Sequence, residues 1–209
     1  MPILLNDKLT YSLPMKNLFF TITIILISLP AISQPKVKWG KYSDKELQMK
    51  SCSFEKGAKA VILYEDGFLQ YKYKKYITSV HRRVKIFDKS EVGRGIISIK
   101  YNPSVEEILD IEGISTSPVN GNNVSSKLRE DQVSTRKISD NKAELVIKMP
   151  VVRAGSIIEY RYKRQARSIV EPENWDFQHD IPTLYSSYRQ GTDIPKEFEF
   201  YISFGGIRT

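Results

Sequence analysis

M-P-V-V-R-A-G-S-I-I-E-Y-R-Y, residues 149–162, joins the end of one strand to the start of the next, and its reading decides the fold. Upstream, Ala143, Leu145, Ile147 and Met149 alternate with Glu144, Val146 and Lys148, the period of a strand with one buried face. Pro150 removes a ladder donor, so pairing lapses there or sits at an edge. Gly155 supplies the backbone freedom a reversal needs. Alternation resumes at Ser156, with Ile158, Tyr160 and Tyr162 on one face and Glu159, Arg161 and Lys163 on the other. The pattern predicts a β-hairpin or β-arch in an antiparallel β-domain, and it holds no catalytic constellation.

Working outward, the 209 residues are 41% hydrophobic and 27% charged, a balance that suits one ordinary globular domain. Twelve Tyr and nine Phe favour strands. The beginning of the chain follows a different logic. Met15-Lys16-Asn17 opens a positively charged region, Leu18 to Leu29 is apolar, and Ala31-Ile32-Ser33 offers small residues for a signal peptidase. As a helix the apolar run spans roughly 18 Å against a hydrocarbon core of about 30 Å, so it predicts a signal peptide (15–33) and no stable transmembrane anchor. Residues 1–14 are expected to be an upstream extension from a start codon assigned too early. Residues 34–209 then form a single domain of an exported protein, periplasmic, outer-surface or secreted. Cys52 is its one cysteine, which excludes an internal disulfide framework.

Within that domain, residues 34–42 read as an extended lead-in. Ser43 with Glu46 three residues on is a capping box for one short helix over Ser43–Met49. Ala60–Tyr64 is a strand closed by a turn at Glu65-Asp66-Gly67. Phe68–Phe87 reads as one long strand or two joined by a bend, residues 88–95 as a turn or loop, and Ile96–Tyr101 as a strand. Val105–Ile114 suits helix or strand equally. Ser115–Ser126, with Asn120-Gly121, reads as turn and loop, and Gln132–Lys142 as exposed polar chain. Strands are expected at 143–149, 156–164 and, by strict alternation, Phe198–Phe204. Arg167–Asn174 reads as loop, and Trp175–Gln178 as a short strand or bulge. The sum is a mainly β chain, an antiparallel β-sandwich of immunoglobulin-like character with one short N-terminal helix. Because Gly205-Gly206-Ile207-Arg208-Thr209 follows the last strand at once, leaving an apolar edge without a successor, the domain is expected to be cut short at its C-terminus.

Catalytic chemistry has little to stand on. Cys52 sits between two serines, and the two histidines, His81 and His179, show no setting that suggests a partner. Cys52 therefore reads as a semi-buried structural residue, and no metal-ligand spacing is present. The hexad Trp175-Asp-Phe-Gln-His-Asp180 holds the chain's most varied chemistry. Asp176, His179 and Asp180 could serve a hydrolase, but the simpler reading has Trp175 and Phe177 filling the core while the polar residues finish a turn before Pro182. No catalytic, cofactor-binding or metal residue is assigned, no cofactor is expected, and the chain is expected not to be an enzyme. Basic residues interleave with aromatics at Lys72-Tyr-Lys-Lys75, His81-Arg-Arg83 and Arg161-Tyr-Lys-Arg164. Export argues against nucleic acid as partner, so an acidic glycan or envelope surface is the polyanion to consider. The candidate interaction surface is Lys72, Lys74, Lys75, Arg161, Lys163, Trp175 and Gln178.

Several of these pieces run in a familiar order: Ala60-Val-Ile-Leu-Tyr64, His81-Arg-Arg-Val-Lys-Ile-Phe-Asp88, Pro150-Val-Val152, Gly155-Ser-Ile-Ile-Glu-Tyr-Arg-Tyr162, Trp175-Asp-Phe-Gln178, Ile181-Pro182 and Tyr185–Tyr188. Together they resemble a bacterial domain of unknown function that sits, behind a signal peptide, ahead of a transglutaminase-like domain in exported proteins. The resemblance covers roughly residues 43–204. It implies an immunoglobulin-like sandwich with a non-catalytic, accessory role, the Cys-His-Asp machinery belonging to the next domain, which this sequence does not contain. That domain is the expected partner. The alternative is a free-standing secreted module that binds an acidic glycan or envelope surface.

Overall fold

The computed structural model describes residues 37–167, 172 and 174–191. They form a mainly β structure: α1 (Asp44–Gln48), β1 (Ala60–Lys72), β2 (Lys75–Ile86), a 3-10 helix (Lys89–Gly95), β3 (Ile96–Tyr101), β4 (Glu106–Val119), β5 (Asn122–Lys127), β6 (Val133–Ser139), β7 (Lys142–Lys148), β8 (Ile157–Arg167) and β9 (Ser186–Gln190), with a second short 3-10 turn at Glu130–Gln132. A six-stranded sheet has the order β5-β4-β8-β2-β1-β9, and a three-stranded sheet the order β3-β7-β6. All pairs are antiparallel except β1 with β9.

The two sheets face each other across one core. Ala60, Ile62, Val84, Ile86, Ile158 and Tyr160 of the large sheet meet Ile99, Leu145 and Ile147 of the small one. Burying each such aliphatic side chain contributes about 1.5–3 kcal/mol. The layered antiparallel architecture is the expected one, and an immunoglobulin-like description is compatible with it. The opposite face of the large sheet is covered at one end by the chain from Tyr42 to Ala58, where Cys52 packs with Val61, Leu63 and Ile157. The short helix in that cover has its capping box: Ser43 Oγ accepts from the Glu46 N–H, and the Ser43 N–H donates to the Glu46 carboxylate.

The stretch 149–162 is an arch, not a hairpin. β7 pairs with β3 and β6, whereas β8 pairs with β2 and β4, so the chain changes sheets between Met149 and Ser156. The crossing is fixed by buried serines. Ser117 Oγ donates to the Val151 carbonyl at 2.6 Å and meets Ser156 Oγ at 2.7 Å, and Ser115 Oγ donates to the Pro150 carbonyl. Gly155 has φ +87°, and a Cβ there would stand 2.9 Å from Pro118 Cγ.

Several local expectations change. Asp66-Gly67 is no turn, because β1 runs straight through it and reverses at Tyr73-Lys74, both with positive φ (53° and 58°), as a type I′ hairpin requires. Gly67 serves a close approach instead: a Cβ would lie 2.6 Å from the Trp175 ring. Residues 105–114 resolve to strand, and 115–126 to the end of β4, an Asn120-Gly121 turn and β5. The polar stretch 132–142 holds the exposed strand β6. Trp175–Gln178 has no regular structure, and Trp175 and Phe177 are half-buried outside the main core. Phe198–Phe204, the expected signal peptide (15–33) and most of Arg167–Asn174 lie outside the described residues.

Candidate functional site

Arg82 and Arg83 are adjacent on β2, so their side chains leave the large sheet on opposite faces. Each enters a buried cluster of the same composition. On the face covered by the N-terminal segment, Glu159 is 0% exposed and accepts from Arg83 Nη2 at 2.9 Å and the Gly40 N–H at 3.0 Å, with His81 Nε2 at 2.7 Å. Arg83 also donates to Glu46 at 2.6 Å and to the Lys38 carbonyl at 3.0 Å. On the other face Glu65, likewise 0% exposed, accepts from Arg82 Nε at 2.7 Å and meets His179 Nε2 at 2.8 Å. Burial raises the pKa of both glutamates. The hydrogen bonds and charges of His179 and Arg82 at Glu65, and of His81 and Arg83 at Glu159, outweigh it and hold both carboxyls below the usual range. Lys85 is buried too, donating to the Leu47 and Gly155 carbonyls at 2.8 Å each, and burial lowers its pKa.

Both histidines therefore have partners, contrary to the sequence expectation. The pairings join residues 78 and 114 positions apart, which no local pattern reveals. A faint signal did exist: Glu65 directly follows Ala-Val-Ile-Leu-Tyr, and Glu159 sits within Ile-Ile-Glu-Tyr. A carboxylate inside an apolar strand needs a buried counter-charge.

The three residues of the imagined hydrolase do not converge. His179 is held by Glu65, Asp180 pairs with Arg94 at 2.7 Å, and Asp176 is exposed. Cys52 is a free thiol, 2% exposed in its apolar cluster. Among the described residues no group of three or more His, Cys, Asp or Glu is placed to hold a metal ion. Beside the Glu65 cluster lies a cavity of about 510 Å³, floored by Ile62, Val84 and Ile158 and rimmed by Arg82, Arg94 and His179.

Set against known families, residues 74–204 match the domain of unknown function DUF3857. The chain belongs to this family. The DUF3857 match takes in Arg82, Arg83, Glu159 and both histidines, while Glu65, Glu46 and the N-terminal cover precede it. No curated protein matches. Among solved structures, a Parabacteroides distasonis protein assigned provisionally to the proteases is 12% identical, with TM-score 0.46 over 52% of this chain and 23% of that one. Yeast LTA4 hydrolase in complex with bestatin is also 12% identical, with TM-score 0.26 over 62% and 17%. The chain thus spans less than a quarter of the length of either structure. No helix among the described residues is long and apolar enough to cross a membrane.

The seven residues of the expected interaction surface fall in three places. Lys72 and Lys74 are exposed and Lys75 half-buried around the β1–β2 turn, and none has a carboxylate partner among the described residues. Arg161 and Lys163 are exposed on β8, each paired at 2.7 Å, with Glu112 and Asp110 respectively. Trp175 stacks on Tyr188 on the opposite face of the sheet, with ring centroids 5.3 Å apart, and donates to Ser186 Oγ at 3.1 Å; Gln178 is exposed nearby in sequence.

Proposed function

We propose that this DUF3857 chain is the non-catalytic accessory module of an exported transglutaminase-like protein, packing against or presenting substrate to a Cys-His-Asp domain. One observation carries the reading: the side chains best suited to catalysis are committed to the fold. Cys52 is sealed among Val61, Leu63 and Ile157, and each histidine is held by a buried glutamate that also pairs with an arginine, the half-buried Arg82 or the buried Arg83. A nucleophile needs a base in reach, and a base needs access to its substrate. Cys52 is packed among aliphatic side chains, and both histidines are engaged by buried glutamates. The partner domain follows from the family resemblance in the sequence.

The test is acyl transfer from a glutamine peptide to an amine by the longer gene product. Replacing the cysteine of the downstream domain is expected to abolish turnover, whereas Cys52→Ala and His179→Gln in folded protein retain it. Loss of turnover in a folded Cys52→Ala or His179→Gln protein would place catalysis in this module and overturn the proposal.

A second reading rests on the β1–β2 turn, where Lys72, Lys74 and Lys75 surround Tyr73, itself 87% exposed. A cationic tip with an exposed ring suits an acidic glycan or envelope surface. Salt-sensitive retention on an anionic matrix, lost in the triple Lys→Ala variant, is the expected result. Retention unchanged by that variant removes the reading.

A further inference from the structure

On the face of the large sheet that carries Glu159, beyond the N-terminal cover, a β-bulge in β4 opens a cleft of about 520 Å³. The register passes from Leu109↔Lys163 to Glu112↔Arg161, so Asp110 and Ile111 together oppose Tyr162. Asp110 takes φ +52°, uncommon for a residue with a side chain. The bulge packs the half-buried Ile111 against the core and leaves Asp110 and Glu112 on the surface, where they meet Lys163 and Arg161. Asp66, Ser79 and His81 line the remainder of the cleft.

Three properties define what this cleft suits. Its charges are balanced, because Asp110 pairs with Lys163, Glu112 with Arg161, and Asp66 with Arg189. A strongly charged ligand would find no uncompensated partner. Its polar groups on β4 and β8 are two carboxylates, a guanidinium and an ammonium, between 44% and 61% exposed, with capacity left for further hydrogen bonds. Ion pairs that exposed contribute little to stability, so a ligand can rearrange them at small cost. Aromatic rings pack on two of the residues that line the cleft, Arg161 and His81. The Trp39 ring lies 4.6 Å from the Arg161 guanidinium, and Tyr64 stands 5.2 Å from His81 and stacks on Tyr185. Paired carboxylates and a guanidinium can bridge neighbouring hydroxyls bidentately, and the rings packed on Arg161 and His81 hold those two groups in place.

We propose that this cleft is a binding site for a neutral saccharide. The site is separate from the cationic β1–β2 turn and takes the opposite kind of glycan, one without charge.

The full chain is titrated with cellotetraose, maltotetraose and the tetramer of N-acetylglucosamine, following tryptophan fluorescence and ligand-observed NMR saturation transfer. At least one sugar is expected to bind, and Asp110→Asn or Glu112→Gln to weaken it about tenfold, the loss of one charge-assisted hydrogen bond. Both positions are solvent-exposed, so the thermal midpoint should hold. Failure of all three sugars to bind at millimolar concentration overturns the proposal. Binding that is unaffected by both substitutions, or lost instead on Lys72/Lys74/Lys75→Ala, also overturns it.

Discussion

Glu159→Gln removes one negative charge from beneath Arg83 while leaving shape and volume nearly unchanged. Arg83 is 2% exposed, so it would keep a buried charge with Glu46 as its one remaining carboxylate. Breaking a buried pair in this way costs about 3–5 kcal/mol. We expect a correspondingly lower urea midpoint by circular dichroism at pH 7; an unchanged midpoint would show that Glu46 alone suffices. The same residues set the acid limb. The folded carboxyls of Glu65 and Glu159 titrate below the ordinary 4.5, so their contribution is fully present above that pH and is lost as the pH falls through the folded-state values. Wild-type protein should therefore lose stability steeply below pH 4.5, and the gap between it and Glu159→Gln should narrow there. A gap that widens on acidification would contradict the assignment.

At the scale of elements, the turns are the most informative. Tyr73 and Lys74 both sit at positive φ in a two-residue hairpin, where Asn-Gly is far better suited. Replacing them with Asn-Gly should raise stability by about 0.5–1 kcal/mol, read as a higher thermal midpoint. Gly67→Ala should act in the opposite sense, because its Cβ would collide with the rings of Trp175 and Tyr188. Overpacking of this kind costs about 1–3 kcal/mol, and displacement of Trp175 should change its fluorescence. These two sites also show what a sequence conceals. The sequence pattern placed β3 and β7 within a residue and β8 with its end three residues short, since a half-buried strand writes its period directly into the chain. Asp66-Gly67 carries the letters of a turn, yet the glycine is there because a ring from residue 175 lies on it. Tyr73-Lys74 carries no turn letters and nonetheless turns. β9 escaped because its parallel pairing with β1 depends on a partner more than a hundred residues away, not on any pattern of its own. The Glu–Arg–His clusters were hidden for the same reason, and the bulge that forms the saccharide cleft shows only in the register between β4 and β8.

For the whole molecule, the N-terminal cover is part of the fold although the family match begins at residue 74. It supplies Glu46 and the Lys38 carbonyl to Arg83, the Leu47 carbonyl to Lys85, and Cys52 to the cluster over Val61 and Ile157. Deleting residues 37–58 would strip Arg83 of Glu46 and the Lys38 carbonyl, leave Lys85 with the Gly155 carbonyl, and expose that apolar cluster. We expect the deletion to cost at least about 3 kcal/mol and to produce binding of a hydrophobic dye. A deleted chain that melts like the parent and binds no dye would show the cover to be dispensable. The accessory role proposed for the molecule is open to a more direct test. The DNA immediately downstream of the codon for Thr209 should be read in all three frames. The account predicts a continuation, in frame or after a shift, that encodes a transglutaminase-like domain with its Cys, His and Asp. A stop followed by unrelated sequence would contradict it and leave a free-standing binding module as the function to pursue.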